Sequence, residues 1–450
     1  MRFNKLFLVL SIAMIAYMDG RSQAITGRPF SLQACVQTAI ENNLDVKLSD
    51  LDMERAGVSW RQSKANLLPN ISGDINHQLN QGRSIDPSNN AYVNQQNTTG
   101  SYSLSGSVTL FNGLRLLNNL KSSQYAYEAS KMELQTYKDQ LMLNVILAYL
   151  QILTNTDLLQ QAQKQADVTQ KQVERLDLMN QQGAIKPSDL SDMKGQLADN
   201  KVTIIKSQND LDGARLSLSQ YMNVPYNKDL EVERLRADQV EMNYATTPDS
   251  IFNIALQQLA IIKAADLRTK SADKAVQAAR GNLYPSVGLA GGFYTPYSST
   301  ASSGDSTNPK IGYYDQLSNF YRTYVGIGIS IPIFNNFRFR NQVALAKIDR
   351  KSADFTAKTR QIQLKQSIER DFFNMTAAKN KYQALLEQVA AYAESFRAAE
   401  ARFNAGASTS VDYLIAKNNL DRTNVNLIIA RYDYVLRTKI LDYYQGKPLW

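Results

Sequence analysis

Hydrophobic side chains along this chain fall at every second position in four short stretches and at helical spacing over most of the rest. Ile71, Gly73, Ile75, His77 and Leu79 alternate with Ser72, Asp74, Asn76 and Gln78, and Tyr102, Leu104, Gly106, Val108 and Leu110 alternate with Ser103, Ser105, Ser107 and Thr109. The pattern returns as Val287, Leu289 and Phe293 against Ser286, Gly288, Ala290 and Gly292, and as Val325, Ile327, Ile329 and Ile331 against Gly326, Gly328 and Ser330. Runs of about ten residues with one apolar and one small or polar face suit strands of a membrane β-barrel, although alternation alone fits a soluble hairpin pair equally well. The reading is two hairpins, at 69–112 and 285–334, with Ser/Asn/Gly/Pro-rich loops from Gln81 to Thr98 and from Thr295 to Phe320. Tyr92, Tyr297, Tyr313, Tyr314 and Tyr321 lie near those loops, as an interfacial girdle would.

The helical stretches are longer than a globular domain uses. No proline or glycine interrupts Leu114 to Gln182, which predicts a helix on the order of 100 Å long. Val145, Ile152, Leu159, Ala166 and Val173 recur every seven residues, flanked by Leu141, Ala148, Ala162 and Leu176. Met375, Tyr382, Val389, Phe396 and Phe403 do the same in a second long helix, so both are expected to pack side by side with neighbours along their length.

The two halves are a tandem duplication. Asn66-Leu67-Leu68-Pro69 answers Asn282-Leu283-Tyr284-Pro285 at an offset of 216 residues. Leu110-Phe111-Asn112-Gly113 answers Ile333-Phe334-Asn335-Asn336, and Gln182-Gly183-Ala184 answers Ala405-Gly406-Ala407, at an offset of 223. The seven-residue change falls in the hairpin loop. The first repeat spans 25–222, with a helix, the hairpin, a long helix at 113–182 and a return helix at 187–222. The second spans 249–450, with long and return helices at 336–404 and 408–445, and 223–248 is a mixed equatorial segment broken by Pro225, Asp229 and Pro248.

Closure then constrains assembly. Four strands cannot seal a barrel, because closed membrane barrels begin at about eight strands and unpaired edges are not tolerated in hydrocarbon. If these strands lie in a membrane, sister copies must share one barrel, and three copies supply twelve strands. The N-terminus agrees with export: Arg2 and Lys5 precede an apolar run from Leu6 to Tyr17, and Ser22-Gln23-Ala24 offers a small-x-small cleavage pattern, so 1–24 reads as a signal peptide cleaved after Ala24. The one cysteine, Cys35, sits among Leu32, Val36 and Ala39 at helical spacing and reads as a small buried apolar residue. The formal net charge of +9 is spread in short groups and reads as solvated helix faces, not as a nucleic-acid footprint.

Enzyme chemistry is poorly served. The single histidine, His77, lies in a strand, which removes histidine triads and histidine-rich zinc sites, and no phosphate-cradling Gly-x-x-x-x-Gly-Lys-Ser/Thr occurs. No cofactor is expected, and energy for any transport must come from a partner. Asp189 and Asp412 each stand in the first turn of a helix, where the dipole and unpaired amides favour a carboxylate; a pore-lining role is the alternative. Gly183 and Gly406 each end a long helix, where a left-handed residue is commonly required.

The duplicated helix-hairpin-helix plan, the Leu-Leu-Pro and Leu-Tyr-Pro phrases leading into strands, the Leu-Phe-Asn-Gly and Ile-Phe-Asn-Asn phrases leaving them, and the turns Gly183 to Asp189 and Gly406 to Asp412 together resemble the TolC-like outer-membrane efflux family across nearly the whole mature chain. The resemblance implies a mainly α fold with β: a homotrimer with a shared 12-stranded barrel in outer-membrane lipid, and long antiparallel coiled-coil helices forming an α-helical barrel across the periplasm. It implies a passive duct for small molecules or polypeptides, closed at a periplasmic tip and opened by a periplasmic adaptor that couples it to a proton-driven or ATP-driven inner-membrane pump. Carried over by position, the adaptor contacts are Gly183, Ala184, Ile185 and Lys186 in the first turn and Gly406, Ala407, Ser408 and Thr409 in the second. Asp412 takes the place of a family pore-narrowing acid, Ile415 stands where a second is often found, and Asp189 and Asp192 are the first-repeat acids expected to complete the constriction. A barrel-anchored trimeric coiled-coil adhesin or structural envelope protein is the alternative, disfavoured because both hairpins are embedded between helices, and the helical mass disfavours a nutrient porin.

Overall fold

The structure, a computed structural model, describes residues 29–85, 90–234, 244, 246–303 and 310–449. The expected signal peptide lies outside the described residues, as does much of the equatorial segment. Thirteen elements follow in chain order: α1 (Leu32–Asn42), α2 (Leu44–Ala65), β1 (Asn70–Ile85), β2 (Tyr92–Asn112), α3 (Arg115–Gln181), α4 (Pro187–Met222), α5 (Pro248–Gln258), α6 (Ala260–Gly281), β3 (Ser286–Ser298), α7 (Tyr313–Asn319), β4 (Arg322–Ser330), α8 (Arg338–Asn404) and α9 (Ser410–Tyr444). The duplication is visible in the lengths: α1 and α5 have 11 residues each, α2 and α6 have 22, and α3 and α8 have 67.

All four strands join one antiparallel sheet in the order β1-β2-β3-β4, so the two hairpins are fused through the β2–β3 pairing. Cross-strand partners share a face. Ile71, Gly73, Ile75 and His77 lie opposite Gly106, Leu104, Tyr102 and Gly100; Leu104 and Val108 lie opposite Phe293 and Leu289; Val287 and Leu289 lie opposite Ile329 and Ile327. One apolar face therefore runs across the sheet, while Ser72, Asn76, Ser103, Ser105, Gly288 and Gly328 occupy the other. Ile75 (78% exposed) and Val325 (82%) have nothing covering them within the chain, and β1 and β4 each pair along one edge alone.

Three strand expectations are corrected. The stretch Gln81 to Thr98 is largely strand: β1 reaches Ile85 and β2 begins at Tyr92, pairing Asn80 with Asn97 and Ile85 with Tyr92. Its Asn, Gln and Thr residues read as loop by composition, but a backbone ladder in water needs no apolar face. At 16 and 21 residues these strands exceed the roughly ten that a bilayer crossing needs. In the second hairpin β3 extends to Ser298, and the connection contains α7. Gln316 of α7 is buried and stands in for strand pairing past the end of β4: its carbonyl accepts the Ser298 N–H (2.9 Å) and its amide donates to the Ser298 carbonyl (3.0 Å). Finally, a register shift between Thr109 and Phe111 makes Leu110 the extra residue of a bulge and turns Phe111 toward the face of Val287.

The long helices leave the sheet through paired left-handed residues, Gly113-Leu114 and Asn336-Phe337. Gly113 (φ +63°) lies against Gly281 so closely that a Cβ there would stand 2.5 Å from the Gly281 carbonyl oxygen. Ser31 caps α1 by accepting from Ala34 N–H, and Asn43 separates α1 from α2 by accepting from the N–H groups of Asp45 and Val46. At mid-height α1 buries Leu32, Cys35, Val36 and Ala39 against Val145, Ile146 and Ile152 of α3 and Leu211 and Leu218 of α4. Cys35 is fully buried, which pushes its thiol up to about 12. Tyr149 of α3 donates to the Glu233 carbonyl (2.7 Å), next to the parallel bridge between Phe30 and Val232. In the second half α5 packs Ile251 and Ala255 against Ile368 and Met375 of α8 and Leu441 of α9.

Candidate functional site at the helical turns

Because α3 and α8 are equally long and start from the same sheet edge, their far ends reach one level, about 100 Å away. The two turns there have matching chemistry. Gly183 (φ +69°) donates to Asn180 O and Ala184 to Met179 O (2.9 Å); Gly406 (φ +70°) donates to Phe403 O and Ala407 to Arg402 O (2.8 Å). These bonds satisfy the last carbonyls of each long helix. Gly183, Ala184, Lys186, Gly406, Ala407 and Thr409 are exposed, whereas Ile185 and Ser408 are half-buried. Six of the eight residues inferred as adaptor contacts thus form an open, largely uncharged surface.

Behind them lies an apolar plug. Tyr413 is buried against Phe403 (centroids 5.1 Å) and Phe396 (5.5 Å), with Val173, Leu176, Leu190 and Met193 completing the cluster. Burial pushes the Tyr413 phenol up to about 12. Tyr413 occupies the repeat position of Leu190, so the plug is built from one equivalent residue of each return helix.

The three candidate constriction acids separate into two settings. Asp412 completes a capping box with Thr409: its carboxylate accepts from the Thr409 hydroxyl (2.8 Å) and backbone N–H (3.2 Å), while Asp412 N–H donates to the Thr409 hydroxyl. The Thr409 hydroxyl, and after it the Thr409 N–H, hold this carboxyl below the usual carboxylate range. Asp189 and Asp192 meet elsewhere, at the buried hydroxyl of Ser410, which lies 2.8 Å from Asp189 Oδ1 and 3.0 Å from Asp192 Oδ2. One hydroxyl proton serves one carboxylate at a time, so Ser410 alone does not neutralise the pair. Ile415 is exposed at 57%, and its repeat counterpart is Asp192.

Ser410 is thus a tie between the two return helices that sequence reasoning missed, and there are others. Arg175 near the end of α3 donates to the side chain of Asn404 and to its backbone carbonyl (3.2 Å), and Asn418 of α9 donates to Gln196 of α4 (3.4 Å). The signal available in sequence was the repeat alignment, which sets Ser410 against Pro187: a hydroxyl stands where the first turn has none.

Comparison with known proteins agrees with this architecture. The family model described as outer membrane efflux protein matches residues 35–224 and 251–443, once in each repeat. Outer membrane protein TolC of Escherichia coli K12 is 24% identical over 408 residues, covering 90% of this chain and 80% of that protein. The probable efflux pump outer membrane protein TtgC of Pseudomonas putida KT2440 is 23% identical, covering 87% and 77%. The crystal structure of the outer membrane protein VceC from Vibrio cholerae superposes with a TM-score of 0.78 at 15% identity, covering 93% of this chain and 97% of that one.

Proposed function

We propose, from the premise that this chain belongs to the outer membrane efflux protein family, that three copies close a single passive duct whose tip is gated by the Asp189, Asp192, Ser410 and Asp412 region. The chain is an outer-membrane channel protein with its helices extending into the periplasm. The apolar sheet face meets lipid, and the Ser- and Gly-rich face lines the upper pore.

The observation that carries the trimer is an asymmetry between the repeats. α6 packs on both α3 and α8, but its counterpart α2 packs on α3 and leaves its other flank open. Leu44 (62% exposed) and Leu48 (60%) correspond by repeat position to Ala260 and Ala264, which are buried on α6. The internal contact therefore has a missing twin, α2 against α8 of the next copy, just as β1 and β4 are two edges awaiting one another. Repeating both contacts around a threefold axis closes twelve strands and twelve long-axis helical segments with no edge left.

At the tip, Gly183 to Lys186 and Gly406 to Thr409 present the surface for a periplasmic adaptor, and an inner-membrane pump supplies the energy. The three aspartates narrow the pore in this reading. The test is deletion in the host followed by complementation: loss of the protein sensitises cells to dyes and detergents, the native chain restores resistance, and Ala184→Arg with Ala407→Arg fails to restore it while still yielding trimers. Full resistance with that variant excludes these turns as the docking surface.

A further inference from the structure

The net charge of +9, dispersed in the sequence, is gathered by the fold. α2, α3, α6 and α8 all meet the sheet at one edge, where β1 and β3 begin and β2 and β4 end. The 11 residues of each helix nearest that edge (55–65, 115–125, 271–281 and 338–348) contain ten Lys or Arg and one acid, Asp273. The chain has 50 basic and 41 acidic residues, of which three and one lie in the signal peptide expected at 1–24, so the mature chain outside the collar holds 37 basic and 39 acidic residues. The positive excess of the mature chain therefore sits within about 16 Å of the sheet edge.

This collar is not neutralised from within. Within one chain nine of its ten cations are exposed and Lys274 is half-buried; Arg55 alone of the nine stands on the flank assigned to the neighbouring copy. Among the described residues Arg55 alone has a carboxylate partner, the exposed Asp52 at 3.3 Å, and Asp273 is already paired with Arg350 at 2.9 Å. Directly above, at the junction of helices and sheet, stand exposed Leu68, Tyr284, Ile333 and Phe334. Lys64 lies 3.5 Å over the ring of Trp60, which stacks on Tyr127, and Lys131 lies 4.4 Å over Tyr127. Lys131 is five helical turns from Tyr149, whose hydroxyl meets the equatorial belt, so this cation–aromatic stack lies on the belt side of α3. Apolar band, then aromatics, then cations is the order of a membrane–water interface. Between α6 and α8 the collar runs on into a groove of about 600 Å³ lined by Arg280, Lys347, Arg350, Lys351, Phe355 and Lys358, whose acids Asp273 and Asp354 pair with Arg350 and Lys358 (3.1 Å) and leave Arg280, Lys347 and Lys351 with no carboxylate partner among the described residues.

We infer that this collar binds the phosphodiester headgroups of anionic glycerophospholipids in the periplasmic leaflet of the outer membrane. The inference rests on the channel reading and adds a lipid preference to it. Cations at this level attract an anionic surface with an effect of about fivefold in affinity for each one, weakened by salt.

The experiment uses purified full-length trimers in detergent, offered phosphatidylglycerol and phosphatidylcholine of identical acyl chains, with retained lipid counted by native mass spectrometry. Wild type retains phosphatidylglycerol preferentially. Arg280→Gln, Lys347→Gln and Lys351→Gln combined lower that preference at least tenfold, and Lys171→Gln with Arg397→Gln, far down the helices, leaves it unchanged. Equal retention of both lipids by wild type, or an unchanged preference in the triple variant, overturns the inference. So does displacement of the lipid by equimolar inorganic phosphate, which marks a free-anion site, or a shift in ion selectivity without a shift in lipid preference, which puts the cations in the lumen. Trimers that insert and conduct without discriminating headgroups overturn this inference alone; a product that never inserts removes the channel reading as well.

Discussion

Ser122 and Ser271 meet hydroxyl to hydroxyl at 3.1 Å, each also donating to the other's backbone carbonyl, and so join α3 of the first repeat to α6 of the second. Their repeat counterparts are Leu345 and Arg55, both exposed on helices that do not pack together within one chain. If the missing twin of the interface forms between copies, these two residues meet there. Arg55→Cys with Leu345→Cys should then give disulfide-linked oligomers on mild oxidation, seen as trimers and dimers on non-reducing gels. Ser122→Cys with Ser271→Cys should cross-link within the monomer. Native Cys35 is fully buried and does not compete. Cross-linking of the serine-derived pair without the other would refute the proposed ring.

The Gly113–Gly281 contact makes a second prediction, about stability. Alanine at 113 must adopt a left-handed backbone and places its Cβ 2.5 Å from a carbonyl oxygen fixed in the facing helix end. The cost should reach at least ~2 kcal/mol, combining the left-handed penalty with overpacking. Gly195, inside α4 two turns from its start with nothing within 4 Å of a Cβ, should respond in the opposite direction, with Gly195→Ala stabilising by about 0.5–1 kcal/mol. Thermal unfolding of the two variants separates these signs.

Much of this architecture was legible because periodicity is a local property. The 3.5-residue seam through Val145 and Ile152 and the alternation through Ile327 and Ile329 need no partner to be read. What escaped depends on partners. The strand from Gln81 onward is held by cross-strand pairing and not by its own pattern. The bulge at Leu110 continues the alternation and is visible only against Val287 on β3. Ser410 and Asp189 are 221 residues apart, and nothing in either segment announces the bond. The charge collar escaped for the same reason, since its four stretches are neighbours only after folding.

Asp412 yields a prediction in pH. A carboxyl held below its usual range favours the folded turn above the ordinary carboxylate pKa, and that contribution is lost as pH falls through the lower folded value. Cleavage of the 405–412 turn by pepsin should therefore rise as pH drops from about 4 toward about 2. Asp412→Ala should already be cleaved more readily at the upper end of that range. Thr409→Ala removes the other half of the capping box and should cost the start of α9 about 1 kcal/mol. Asp412→Asn discriminates the two roles of this residue: if its charge narrows the pore, conductance rises although the amide oxygen can still cap the helix, whereas a purely capping role leaves conductance unchanged.

The last prediction concerns the tie between the return helices. Ser410 is buried at 1% exposure and holds two carboxylates of α4 to the start of α9, so Ser410→Ala removes the hydroxyl that both carboxylates face. Two consequences follow from opposite directions. The acids, left side by side, repel more strongly, and the two turns lose a bond that keeps them at a fixed separation. Single-channel recordings should therefore show a larger conductance or longer open times for Ser410→Ala than for wild type. The change should diminish when Asp189→Asn and Asp192→Asn are added, because the repulsion is then gone and only the lost tie remains. Arg175→Ala, which breaks the neighbouring link to Asn404, should open the channel in the same direction, and combining it with Ser410→Ala should exceed either alone if both restrain one movement. Unchanged conductance in all of these variants would mean that the ties stabilise the folded tip without governing its aperture, and the gate would have to be sought higher in the helical cylinder.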